Sequence, residues 1–163
     1  MSFDSQGTVC RARWHFFRYL HFMLVADHIA QLPDDRKALI KAIHENILSC
    51  DKSVVATVEP MMGMTMIIYK ASDFFKYGLA SGKNHMSLHV LPIYGSKELH
   101  QRYEALLKDA AFQKGCINFK TAKEMPVAVV KKLIKDCAPI NLLKIREEQL
   151  KSKAKSKSAK KKE

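Results

Sequence analysis

Four methionines close together are the first residues of this chain whose chemistry stands out. Met61 is followed by Met62, Met64 and Met66, and thioethers of this kind are soft ligands able to hold Cu(I). On a β-strand the last three would share one face, where flexible thioethers ordinarily fill a core or an adaptable apolar pocket. We therefore assign Met62, Met64 and Met66 to ligand binding, together with Tyr69 farther along the same strand.

Two histidines offer a second chemistry. His85 and His89 have the spacing of a helical metal pair, but on a strand they would lie roughly 13 Å apart and could not chelate one ion. A metal site there needs ligands from neighbouring strands, and Glu59 is the carboxylate we assign to it. The alternative is an exposed polar sheet face made by alternate residues.

The turn before these histidines and the cysteines are the remaining candidate sites. Lys83 and Asn84 lie in a predicted hairpin turn beside the histidines and are assigned to ligand binding. Cys116 lies on a predicted strand outside any cysteine-hydrolase context, which favours a buried inert thiol over a nucleophile. The sequence has no Gly-rich phosphate loop and no Gly-x-Ser-x-Gly elbow. We predict a protein that is not an enzyme.

The net charge is unevenly distributed along the chain. The 163 residues carry a formal net charge of +12, and half of that excess lies in the last twenty residues. Residues 142–163 have the composition of a disordered tail, since no large apolar side chain follows Leu150. The tail is either a solubilising extension or a weak electrostatic arm for nucleic acid or another polyanion. The lysines assigned to the second role are Lys151, Lys153, Lys155, Lys157, Lys160, Lys161 and Lys162.

The first residues differ from the rest. Residues 1–22 are aromatic-rich, and Arg18 and His21 interrupt the apolar run that a signal peptide or a membrane span would need. Three interpretations stay open: an amphipathic surface segment, an ordered extra element, or sequence upstream of a true start at Met23. The four cysteines are widely spaced without a Cys-x-x-Cys pair, which favours a cytoplasmic protein with reduced thiols. The interrupted apolar run predicts that the protein has no membrane partner.

Residues 23–141 have the pattern of one α+β domain. A helix with Leu39, Ile40, Ile43 and Ile47 on its inner side is expected to run to about Cys50. Four strands follow with short links, then a second helix, a fifth strand at 115–120 and a final helix. The order predicts a mainly antiparallel sheet of about five strands with helices packed on one face.

Three stretches carry a resemblance to a known family. They are His28 to Pro33, Lys83 to His89, and Lys114 to Phe119 followed by Met125-Pro126. In this order and spacing the chain resembles the YdhG-like domain family of unknown function. Some members of that family are described as frataxin-like intracellular iron chaperones. The stretch after Glu59 departs from the family pattern, because Pro60 replaces the usual aromatic residue.

The resemblance implies a small cytoplasmic binding protein, with iron as the implied metal cargo. The residues themselves predict a metal ion or an apolar small ligand held on the exposed sheet face. The alternative function is a nucleic-acid-associated accessory protein acting through the lysine tail. A homo-oligomeric structural module is compatible with the same sequence.

Overall fold

The structure is a computed structural model, and it describes residues 25–113 and 115–147. Residues 25–30 are helical, and so are residues 142–147 near the other end. Ten elements lie between them: α1 (Asp34–Cys50), β1 (Val54–Met61), β2 (Met64–Ala71), β3 (Phe74–Ser81), β4 (Met86–Val90), α2 (Leu91–Tyr94), α3 (Lys97–Leu106), β5 (Ala111–Gln113), β6 (Cys116–Phe119) and α4 (Val127–Cys137).

The sheet has six strands in the order β1-β2-β3-β4-β6-β5, and every pair is antiparallel. The predicted α+β class and antiparallel sheet are confirmed. The additional strand is β5, which has three residues and lies at an edge beside β6. So short a strand shows no alternating pattern, and the sequence assigned these residues to the region between helix and strand.

One core joins the helices to one face of the sheet. The predicted inner residues Leu39, Ile40, Ile43 and Ile47 of α1 are all buried in it, with Val130, Leu133, Ile134 and Cys137 of α4. From the sheet, Met86, Leu88 and Val90 of β4 point into the same core. Leu106 at the end of α3 is exposed, and the next residue, Leu107, is buried in the core.

The second face of the sheet differs from the prediction. It carries a small apolar cluster of Met66, Ile68 and Ala80, with Met61 and Phe75 packed against it. His89 is only 9% exposed although it points to this face, and Ser87 beside it is also buried. The expectation of an exposed polar face along β4 is therefore wrong for these two residues.

β1 continues through Pro60 to Met61, although proline has no amide proton to donate within a sheet. β1 is an edge strand, where a residue without an amide proton can be accommodated. The tight β1–β2 turn then places Met62 and Gly63 at φ of 54° and 78°. Two consecutive positive φ values are typical of a two-residue hairpin turn, and they point Met62 into solvent with 70% of its surface exposed.

A buried ion pair ties the sheet to both long helices. Lys76 is the bulged residue of β3, unpaired between the partners of Tyr69 and Lys70, and its ammonium is 2.8 Å from Asp51, which follows α1. The same ammonium donates to the carbonyl of Ala138 at the end of α4, also at 2.8 Å. Burial raises the pKa of Asp51, but hydrogen bonds from Lys76, Ser53 and Tyr77 outweigh that effect and hold the pKa below its ordinary value.

Helical structure extends past the domain boundary that the sequence predicts at Asn141. Residues 142–147 form a helical turn, and the Arg146 guanidinium lies 5.5 Å from the ring centre of Phe74. That distance is in the range of a cation–π contact. None of the helices in the described ranges is long and apolar enough to cross a membrane.

Candidate functional site

A large cleft lies along the outer side of α1. Its volume is about 730 Å³, within the usual range for small-molecule sites. We call it the α1 cleft. One wall consists of Ala26, Ile29 and Ala30 from the helical residues 25–30. The other wall is a stripe of α1 and the residue two positions beyond it: Asp34, Lys37, Ala38, Lys41, His44, Glu45, Leu48, Ser49 and Lys52.

The stripe exists because these residues recur every three or four positions on the helix. Asp34 and Ser49, near its two ends, are separated by about 22 Å along the helix axis. Ala26, Ala30 and Ala38 are exposed and small, and their methyl groups leave the space between the two walls open. Partly exposed Leu48 supplies larger apolar surface, and Ile29 lines the groove from the core, where most of its side chain is buried. The cleft is thus a long, mostly apolar groove.

A buried histidine lies on the inner side of the α1 cleft. The Nδ1 atom of His44 is 2.8 Å from the hydroxyl of Tyr69, and His44 is almost fully buried. Burial lowers the pKa of His44, and Glu45 raises it by a smaller amount. Burial also raises the pKa of Tyr69 well above its ordinary value. Both groups are uncharged near neutral pH, and they form a fixed polar point in an apolar groove.

Charged groups border the groove. The Lys37 ammonium is 2.7 Å from the carboxylate of Asp34, so these two charges are matched. The Lys52 ammonium donates to the carbonyl of Leu48 at 2.9 Å. Among the described residues no carboxylate lies within 4.0 Å of Lys41, which is exposed on α1.

A second cleft of about 190 Å³ lies next to the buried ion pair, between the β2–β3 end of the sheet and residues 138–143. Its charged residue is Lys76, whose ammonium is already held by Asp51 and the Ala138 carbonyl. The smaller volume and the occupied ammonium both favour the α1 cleft as the binding site.

Tyr69 was predicted to join the methionines on one sheet face, and that prediction is wrong. Its side chain lies in the core under the helices, where it is 0% exposed and hydrogen-bonded to His44. Met66 in contrast is buried on the second face of the sheet. Met62 and Met64 are exposed around the β1–β2 turn. The four residues therefore do not form one site.

Glu59 and the predicted turn residues are held by other contacts. The Glu59 carboxylate is 2.6 Å from the Lys70 ammonium and accepts from Thr57 at 2.7 Å. Lys83 and Asn84 lie in the β3–β4 turn, which Arg36 of α1 anchors by donating to the carbonyls of Gly82 and Lys83. The turn is thereby fixed to α1 but lies outside the α1 cleft.

The two predicted histidines have different surroundings. His89 faces Cys116 across β4 and β6, with 2.8 Å between its Nδ1 atom and the sulfur. Burial lowers the pKa of His89, and burial raises the pKa of Cys116 against a smaller opposite effect from Tyr94. Both shifts favour a neutral thiol beside a neutral imidazole. His85 precedes β4, and its carbonyl accepts from Gly82 in the turn.

The metal prediction finds no site in the part of the chain that the structure covers. No group of three or more His, Cys, Asp or Glu side chains that could hold an ion occurs among the described residues. His85, His89 and Glu59 are not brought together as ligands. The lysines of residues 151–162, assigned to nucleic acid, lie outside the described residues, as do residues 1–22.

The chain matches no protein-family model, no curated protein and no solved structure. The resemblance to the YdhG-like family therefore stays a prediction.

The α1 cleft was not predicted from the sequence. The available signal was the placement of Ala26, Ala30 and Ala38 at exposed helical positions, together with a histidine between the buried Ile43 and Ile47. Small exposed side chains are ordinary on helices and do not by themselves indicate a groove. What makes the groove is the packing of residues 25–30 beside α1, which no periodicity within α1 reveals.

Proposed function

We propose that this protein is a small, non-enzymatic binding protein that takes an apolar small molecule into the α1 cleft. The observation that carries the proposal is the cleft itself, about 730 Å³ in volume, whose exposed surface is mostly apolar although seven of its twelve lining residues are polar or charged. Sites for small ligands have this composition, since apolar surface supplies the affinity and a few polar groups fix the orientation.

The surroundings of the Cys116–His89 pair support the non-enzymatic part of the proposal. Cys116 and His89 are adjacent, but burial raises the pKa of the thiol and lowers that of the imidazole. A thiol kept protonated is a weak nucleophile. We also propose a cytoplasmic location, which the free thiols at Cys50, Cys116 and Cys137 support.

Iron handling and nucleic-acid binding stay predictions of the sequence. The described residues offer no cluster of ligands for iron, and the lysine tail lies outside them. Neither function has a structural observation that favours it over small-molecule binding.

The test is saturable binding of the neutral apolar dye Nile red to the full chain, followed by fluorescence. Ala38→Phe puts a ring into the groove from an exposed helical position, so it is expected to weaken binding at least about tenfold without unfolding α1. The matched control is Ala105→Phe, at an exposed position of α3 outside the cleft, which is expected to leave binding unchanged.

Two results would contradict the proposal. One is a wild-type chain without saturable dye binding, as expected if another part of the chain or a second copy fills the groove. The other is equal dye binding by the wild type and the Ala38→Phe variant, since the dye would then occupy a different surface. Circular dichroism of each variant shows that the fold is retained.

A further inference from the structure

The charges around the α1 cleft select among apolar ligands. Three lysines and two acids border it, and the Lys37–Asp34 pair cancels one charge of each sign. The remaining charged residues at the border are Lys41 and Lys52, which are positive, and Glu45, which is negative. The groove therefore has an excess of positive charge at its edge, and a neutral ligand would leave that excess unused.

Lys41 is the residue best placed to use this charge. It is exposed, it borders the middle of the groove, and no described carboxylate lies within 4.0 Å of it. Lys52 in contrast is near one end and already donates to the Leu48 carbonyl. Glu45 is one turn from Lys41 on the same helix, yet the two do not form an ion pair. Among the described residues, no carboxylate thus competes with a ligand for the Lys41 ammonium.

The polar and apolar parts of the groove are arranged in a way that suits a molecule with two unlike ends. His44 is three residues after Lys41, so its imidazole and the Lys41 ammonium border the same stretch of the cleft. Ala38, about one turn before Lys41, and Ile29 on the opposite wall continue the groove as apolar surface. A ligand can place an acidic group at Lys41 while its apolar body lies against Ile29 and Ala38.

We infer that the ligand class is a small organic anion, a single carboxylate or similar acidic group on an apolar body, with Lys41 as the residue that selects the acid. The inference rests on the proposed function, because it assigns the chemistry of a ligand to the same cleft. Lys41 is a specificity-determining residue in this scheme: it adds affinity for acids and contributes little to neutral ligands of equal size.

The experiment compares two dyes on the full chain. Nile red is neutral, and anilinonaphthalene sulfonate is an apolar molecule with one acidic group. Lys41→Gln removes the charge and keeps a long polar side chain at an exposed position. We expect the Kd of the sulfonate dye to rise about three- to tenfold, since an exposed or partly buried charge pair contributes modestly. The Kd of Nile red is expected to stay within about twofold.

Lys131→Gln is the matched control, because Lys131 is an exposed lysine on α4 and its loss changes the net charge by the same amount. It is expected to leave both dyes unaffected. Raising the salt concentration is expected to weaken the sulfonate dye in the wild type and to have little effect on it in Lys41→Gln, because salt screens the attraction that this variant lacks.

The outcomes separate the two proposals. If the wild type binds both dyes in the cleft and Lys41→Gln changes neither Kd, the selection of acids is overturned and the binding function stands. Equal weakening of both dyes also overturns it, because Lys41 would then act through the packing of its stem. If the wild type binds neither dye, the proposed function fails and the inference fails with it.

Discussion

Removing the Lys76 ammonium is expected to destabilise the fold far more than removing a comparable lysine from the sheet surface. The Lys76 and Asp51 side chains are 4% and 2% exposed, and the loss of one partner leaves a charge in a site that water does not reach. Breaking a buried pair in this way typically destabilises by about 3–5 kcal/mol.

The lower end of that range applies to Lys76→Met. Asp51 would keep three donors, the Ser53 amide at 3.0 Å, the Ser53 hydroxyl at 2.5 Å and the Tyr77 hydroxyl at 2.9 Å. The Ala138 carbonyl would lose its donor, which adds about 1 kcal/mol. We expect the free energy of unfolding to fall by about 3–4 kcal/mol in total.

The assay is urea unfolding at neutral pH followed by far-ultraviolet circular dichroism. Lys70→Met is the matched control, because the Lys70–Glu59 pair is as short, at 2.6 Å, but about one third exposed on the second face. Such a pair contributes about 0.2–1 kcal/mol. A loss of less than about 1 kcal/mol in Lys76→Met, no larger than the loss in the control, would refute the claim that burial makes this ion pair important for stability.

A double-mutant cycle tests whether Lys76 and Asp51 act as a pair. In the Asp51→Asn background the buried carboxylate is already gone, so adding Lys76→Met should destabilise much less than it does in the wild type. The expected coupling between the two positions is about 2 kcal/mol. Strictly additive changes would mean that the two side chains do not act as a pair.

Three further predictions follow from single contacts. Asp51 has a lowered pKa, so its contribution to stability is present above the ordinary carboxyl pKa of 3.8 and is lost as the pH falls below that value. The difference in free energy of unfolding between wild type and Asp51→Asn should therefore shrink between about pH 5 and pH 2. A difference that stays constant over this range would contradict the prediction. Arg36→Ala should speed amide hydrogen exchange in the β3–β4 turn and reduce stability by about 1–2 kcal/mol, whereas unchanged exchange at Lys83 would refute the anchoring role. Iodoacetamide should modify Cys137 more slowly than Cys116, since burial raises the pKa of Cys137 to about 12; peptide mass mapping checks the order, and the reverse order would show it wrong.

Much of the fold could be predicted because local patterns and tertiary packing agree. The stripe of α1 from Leu39 to Ile47 and the alternation of β4 both point into the core as their periodicity indicates. Pro33 before α1 marks where the helix begins at Asp34. These signals lie within single elements, so the sequence alone carries them.

Side-chain neighbours across elements were harder to predict. Tyr69 is three residues after Met66, and strict alternation already places the two on opposite faces, so the sequence contained the correct placement. The bulge beside Tyr69 and the pairing of His89 with Cys116 depend on strand register, which the sequence does not show. The α1 cleft depends on how residues 25–30 pack beside α1, so it could not be inferred from either segment alone.

The most direct test of ligand binding in the α1 cleft is heteronuclear NMR of the full chain during titration with anilinonaphthalene sulfonate. Amide shifts report which surface the dye contacts. The largest changes are expected at residues 26–30 and along α1 at Ala38, Lys41 and Glu45. Changes centred on Ser87 and Asn118 of the second face, or no saturable change at all, would contradict the α1 cleft as the binding site.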